Sequence, residues 1–181
     1  MRWSNLRRGE LDARDRGTPV VVSVAATEQH GEHLPLGTDS IIMEAILDRL
    51  DATFDDRLLI APTLTVGCSE HHMVFPGTLT LTHDTFSRWV ADIVEWIVRN
   101  GFSRIMLLNG HGGNSAICSV LGEQLGQRHD GTEILVTSWW TAAVARLKKL
   151  QDGPLGSVGH ACEFETSIIQ AVAPEMVDMS A

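Results

Sequence analysis

The chain has 181 residues, 44% apolar and 20% charged, with a net charge of −9 at pH 7; this suits a single domain spanning 1–181 with a real core. The acidic balance is a poor match to nucleic acid or an anionic membrane surface, and no run approaches the roughly 20 apolar residues of a membrane span. Three scattered cysteines, Cys68, Cys118 and Cys162, do not make a disulfide framework and point to a reduced, cytoplasmic setting, while the charged N-terminus lacks the apolar stretch of a signal peptide.

In chain order, PVVVSVAA (19–26) is β-branched and apolar on both faces, as a strand buried in a parallel sheet is. Residues 39–50 read as a helix and 57–62 as a second strand stopped by Pro62. Residues 83–101 give the clearest helix, with Phe86, Trp89, Val90, Ile93, Val94 and Ile97 in one stripe. Asp84 is its expected N-cap, Gly101 its C′ glycine, and Trp89 and Trp96 are expected in the core. A strand at 103–109, a helix at about 115–128, a strand at 133–138 and a helix at 140–150 follow. Alternating strands and helices of this kind argue for an α/β fold, a sandwich around a mostly parallel sheet.

In such sheets functional groups lie beyond the carboxyl ends of the strands. TEQHGEHLPLGTD (27–39) follows the first strand and brings Glu28, His30, His33 and Asp39. NGHGGN (109–114) follows another strand, and GCSEHHMVFPGT (67–78) and GHACEFETS (159–167) add further histidines and carboxylates. Histidine nitrogen with carboxylate oxygen suits zinc, manganese or iron(II). Glu28 and His30 are two apart, so both point one way from an extended segment. A carboxylate at Asp39 suits a bridge between two ions roughly 3.5–4 Å apart, an arrangement that activates water and clamps a tetrahedral intermediate. Read more plainly, HGGN is a glycine-rich turn or an anion cradle at a helix N-terminus, and His83 and His129 are structural or solvated.

The segments ATEQHGEHLPLGTD, CSEHHMVFPGTLTL, LLNGHGGN and GHACEFETS, in this order, resemble the signature of the creatininase (creatinine amidohydrolase) family over residues 19 to about 179. The resemblance implies a three-layer α/β/α sandwich, metal-dependent hydrolysis of amide C–N bonds in a small-molecule substrate, and a homo-oligomer, usually a hexamer. It implies Glu28, His30, Asp39 and His111 as ligands of two divalent ions, Asp39 bridging them. It makes His160 the catalytic histidine, passing a proton to the leaving nitrogen. Creatininases proper carry a further ligand, a glutamate, where this chain has Gly113; Glu165 is then the candidate to fill that role, or to orient His160 or a bound water. Ser69 and Trp140 are implied as substrate-pocket residues, although no tryptophan stands just before His160. The NGHGGN form is similar to the wider family, which includes formamide deformylases and a peptidase of the mycofactocin precursor; these, and a non-catalytic binder, are the alternatives to an amidohydrolase. Relatives continue for several tens of residues past the position of Ala181, so the resemblance also implies that the family's C-terminal portion is missing here.

Overall fold

Four strands pair in parallel in the order β2-β1-β3-β4, where β1 is Val20–Val24, β2 Leu59–Ile60, β3 Arg104–Asn109 and β4 Glu133–Ser138. The computed structural model describes residues 1–154 and 156–181; Leu155, in the glycine-rich loop before His160, lies outside the described residues. All five residues of β1 are buried, as its two-faced apolar pattern requires of a central strand. Val20, Val22 and Val24 pack with Phe86, Val90 and Val94 of α3 (His83–Arg99) and with Cys118, Leu121 and Leu125 of α4 (Ser115–Arg128). On the other face Val21 and Ala25 join Ile42, Met43 and Leu47 of α2 (Thr38–Phe54). Trp139 of α5 (Trp139–Leu150) and Phe164 and Ile169 of α6 (Glu163–Val172) complete that layer. Each large side chain buried in these layers contributes about 1.5–3 kcal/mol. The result is an α/β/α sandwich; α1 (Arg8–Asp12) is a short charged helix outside it.

Several boundaries differ from the sequence reading for identifiable reasons. The second strand shrinks to two residues because 55–57 form a 3₁₀ turn and Pro62 has no N–H to extend the ladder. Ile60 instead donates to the Met1 carbonyl at 2.9 Å on its outer edge. α3 is capped by Thr82, whose hydroxyl accepts from the Thr85 amide at 3.2 Å; Asp84 sits in the first turn instead. Gly101 has φ 92°, the left-handed conformation of a C′ glycine. Trp96 corrects the core expectation: it is 60% exposed, at the flank of the α3 stripe, with the Arg99 guanidinium 4.9 Å over its ring. α6 went unread as a helix, although Phe164, Ile168 and Ile169 share its apolar face.

Val24, Asn109 and Ser138 stand in register, so the segments leaving β1, β3 and β4 begin side by side. From β1 the chain turns by α2 toward β2; from β3 it turns by α4 toward β4. The crevice between β1 and β3 is therefore a topological switch point, where open α/β sheets bind ligands. Among the described residues no helix is long and apolar enough to cross a membrane, and the three cysteines are free and buried.

Candidate metal centre

Residues 25–37 leave β1 without regular structure, yet their backbone is bonded. The Ala25 amide donates to Leu64, Glu28 to Leu36, and Leu79 to the Thr27 carbonyl, all at 2.8–2.9 Å. Gly31 turns the chain at φ 70°, a conformation open to glycine. Glu28 and His30 are thereby sunk to 1% exposure. Asp39 follows in the first turn of α2, where the positive end of the helix dipole favours a carboxylate.

After β3, Asn109 fixes the next ligand-type residue. Its Oδ1 accepts from the His111 amide at 3.0 Å and its Nδ2 donates to the His111 carbonyl at 2.8 Å. Asn114 ties the rim together: its Nδ2 donates to the Ala25 carbonyl at 3.1 Å and its Oδ1 accepts from the Cys68 amide at 2.9 Å. The two asparagines of NGHGGN thus hold three segments in place, a role the sequence reading did not assign.

The floor of the crevice combines Glu28, His30, Asp39, His111 and Glu165, all buried. His30 Nδ1 lies 3.1 Å from the Glu28 carbonyl oxygen. A carbonyl only accepts, so Nδ1 carries the hydrogen and Nε2 presents its lone pair. That nitrogen faces Asp39 Oδ1 at 3.1 Å and Glu165 Oε1 at 3.9 Å. In the same way His111 Nε2 donates to the Cys68 carbonyl at 3.1 Å. His111 Nδ1 then faces Glu28 Oε1 at 3.2 Å and Asp39 Oδ2 at 3.1 Å. Glu28 Oε2, Asp39 Oδ2 and Glu165 Oε2 are buried with no hydrogen-bond partner; the short approach of Asp39 Oδ2 to His111 is not aligned as a bond.

Lone pairs aimed at buried carboxylates repel unless a cation stands between them, and that cation is a proton or a metal ion. The protonation balance shows the same demand. Burial opposes a charge on His111, but its close contacts with the Asp39 and Glu28 carboxylates outweigh it and raise its pKa to about 10. His30 shifts upward for the same reason, through Asp39. Burial also disfavours charge on Glu28 and Asp39, yet the histidine contacts hold both below the usual carboxylate range. For Glu165 burial outweighs the pull of His30 and of nearby backbone N–H groups and lifts it to about 7. The donor set fits a divalent metal: Glu28, His30 and Asp39 each bring a ligand atom within 4.8 Å of the others.

Above the floor lies a cavity of about 230 Å³ whose wall includes His71, His72, Trp140, Val158 and His160. His160 Nδ1 is 3.4 Å from Glu28 Oε1, and its side chain is 33% exposed. Ala161 beside it adopts φ 49°, a strained value for a residue with a Cβ. The rings of His30, His160 and His72 succeed one another at centroid distances of 4.3 Å. Burial, then His30, lower the His160 pKa, and burial lowers that of His72. His71 stacks against His111 at 5.8 Å. A Cβ on Gly113 would run into the Cys68 carbonyl, the His111 ring and His71, so no side chain from that position fits.

Ser69 is fully buried, its hydroxyl 3.4 Å from His111 Nε2 against the floor of the crevice. His33 leaves the cluster and bonds Thr166 at 3.0 Å, joining the first rim segment to α6. Gln29, His71 and His72 are the residues the sequence reading left without a role. The doubled histidine of SEHHM was the available signal.

A family model described as creatininase, creatinine amidohydrolase, matches residues 3–181. The creatinine amidohydrolase of Pseudomonas putida is 30% identical over 177 residues, which cover 88% of this chain and 66% of that protein. A mycofactocin precursor peptide peptidase of Mycolicibacterium smegmatis is 30% identical over 87% of this chain and 59% of its own. The chain thus spans two thirds or less of the length of these relatives. A solved structure of a manganese creatininase superposes with a TM-score of 0.84 at 29% identity, over 99% of this chain and 75% of that one.

Proposed function

This chain belongs to the creatininase family, and we propose that it is a metal-dependent hydrolase of C–N amide bonds in small molecules. The observation that carries the reading is the floor: two histidines, their tautomers fixed by backbone carbonyls, turn their free nitrogens onto three carboxylates with unpartnered oxygens. Glu28, His30, Asp39 and His111 would hold the metal, with Glu165 beside them. Five such donors exceed the four of a tetrahedral ion, which supports two divalent ions per subunit, zinc, manganese or iron. A bound divalent ion supplies a nucleophilic water at neutral pH and polarises the scissile carbonyl.

The chain's own groups do the rest. Trp140 and Val158 give the cavity apolar walls, and about 230 Å³ favours a small amide over a long polypeptide segment. A proton must pass from the attacking water to the leaving nitrogen. His160, at the cavity wall, and Glu165, with Oε2 free, are the groups placed to take part. We read the chain as one domain. The exposed apolar tip at Met73, Val74 and Phe75 supports a homo-oligomer, a hexamer in our reading, and the free buried cysteines support a cytoplasmic setting.

The test pairs metal content of protein purified without chelator with a panel of cyclic amides, formamides and short peptides. Divalent metal together with cleavage of a small amide is the expected result. Selective cleavage of formamides or peptides would move the protein to another branch of the family. Protein that binds no divalent metal would overturn the reading.

A further inference from the structure

Gln29 stands between two floor residues, and its side chain makes three polar contacts. Its Oε1 lies 3.0 Å from the Gly31 backbone nitrogen. Its Nε2 lies 2.9 Å from His72 Nδ1 and 3.0 Å from His160 Nε2. A backbone N–H only donates, so the amide atom facing Gly31 is the oxygen and the atom between the imidazoles is the nitrogen. The reverse orientation would set the amide NH₂ against the Gly31 N–H. An amide NH₂ has two hydrogens and accepts nothing. Both imidazole nitrogens in contact with it must therefore present lone pairs. Each neutral ring then carries its hydrogen on the opposite nitrogen. For His160 that is Nδ1, 3.4 Å from Glu28 Oε1; for His72 it is Nε2, 3.7 Å from the same oxygen.

We propose that Gln29 is a positioning residue that holds His72 and His160 as neutral imidazoles, and that His160 acts in the hydrolysis as a hydrogen-bond donor through Nδ1–H, not as the base. The inference deepens the proposed hydrolase reading and rests on it for the catalytic half. His160 has no lone pair on the side that faces the floor. It can therefore stabilise charge growing on the carbonyl oxygen, as a preorganised donor does, but cannot take the proton of the attacking water there. That proton passes to the Glu165 carboxylate as the water O–H breaks and the C–O bond forms. It then moves to the nitrogen as the C–N bond breaks, which closes the balance without His160.

The test is a long-range ¹H–¹⁵N spectrum of the full chain with labelled histidine, recorded metal-free and with zinc, and assigned with His72→Gln and His160→Gln. The expected result is a single Nδ1–H form for His160 and a single Nε2–H form for His72. Gln29→Ala should turn both into mixtures, and Gln29→Glu, which offers acceptors in place of donors, should move the hydrogens to His72 Nδ1 and His160 Nε2. An Nε2–H form of His160 in the unmodified protein, or unchanged tautomers in folded Gln29→Ala, would overturn the proposal. The unmodified protein decides the matter alone if the variants do not fold. A chain that binds no divalent metal would sink the hydrolase reading and still leave the tautomers readable.

Discussion

Glu28, His30, Asp39 and His111 are at most 4% exposed, and the spare nitrogen of each floor histidine is held by a backbone carbonyl. His160 keeps a third of its side chain in solvent and is held by one side-chain amide. A backbone acceptor survives any substitution that keeps the fold, whereas a side-chain acceptor or donor is lost with one codon. The floor is therefore fixed by the architecture, while the mouth is adjustable by sequence. That division suits a common metal chemistry combined with different substrates.

The sharpest way to break the contrast is at the floor. His111→Ala should weaken zinc or manganese binding by more than about 100-fold, beyond the 10–100-fold typical of an outer partner, as read by titration calorimetry and metal analysis. Retained affinity would remove His111 from the centre. At the mouth, His160→Ala should leave metal content unchanged and lower turnover by about 10²–10³, the usual worth of one oriented donor. Metal loss in that variant would erase the distinction between floor and mouth.

A smaller effect sharpens the same comparison through pH. The His111 pKa is raised from 6.5 to about 10 in the folded chain, so the native state binds its proton more tightly than the unfolded state does. The stability this gives is complete below the unfolded value and is lost as pH rises through the folded one. Urea midpoints of the metal-free protein should therefore fall steadily between pH 7 and about 10. With metal in place of the proton the decline should be absent, since metal binding strengthens as competing protons leave. Equal declines with and without metal would show that the floor does not exchange one cation for another.

Much of this was legible in the sequence. The apolar runs of β1, β3 and β4 and the stripe of α3 announced themselves because burial on a sheet face or helix side demands those periods. Glu28, His30, Asp39, His111, His160 and Glu165 also come together in the crevice. Trp96 was misjudged because it repeats Trp89 at seven residues, while the stripe is centred on Phe86, Val90, Val94 and Ile97 and leaves its flank to solvent. Gln29 was silent for a different reason. Its partners His72 and His160 lie 43 and 131 residues away, and no local pattern encodes a contact created by the closing of three rim segments.

Asn114 gives the rim a mechanical consequence. One carboxamide grips the backbone after β1 at Ala25 and the segment before the histidine pair at Cys68, while its own segment carries His111. None of the three can open to solvent without releasing this grip, so they breathe as one unit. Amide exchange at Cys68, whose side chain need not touch an ion, should then slow whenever the centre is loaded, and a deuterium measurement at that single N–H would report occupancy from outside the coordination sphere.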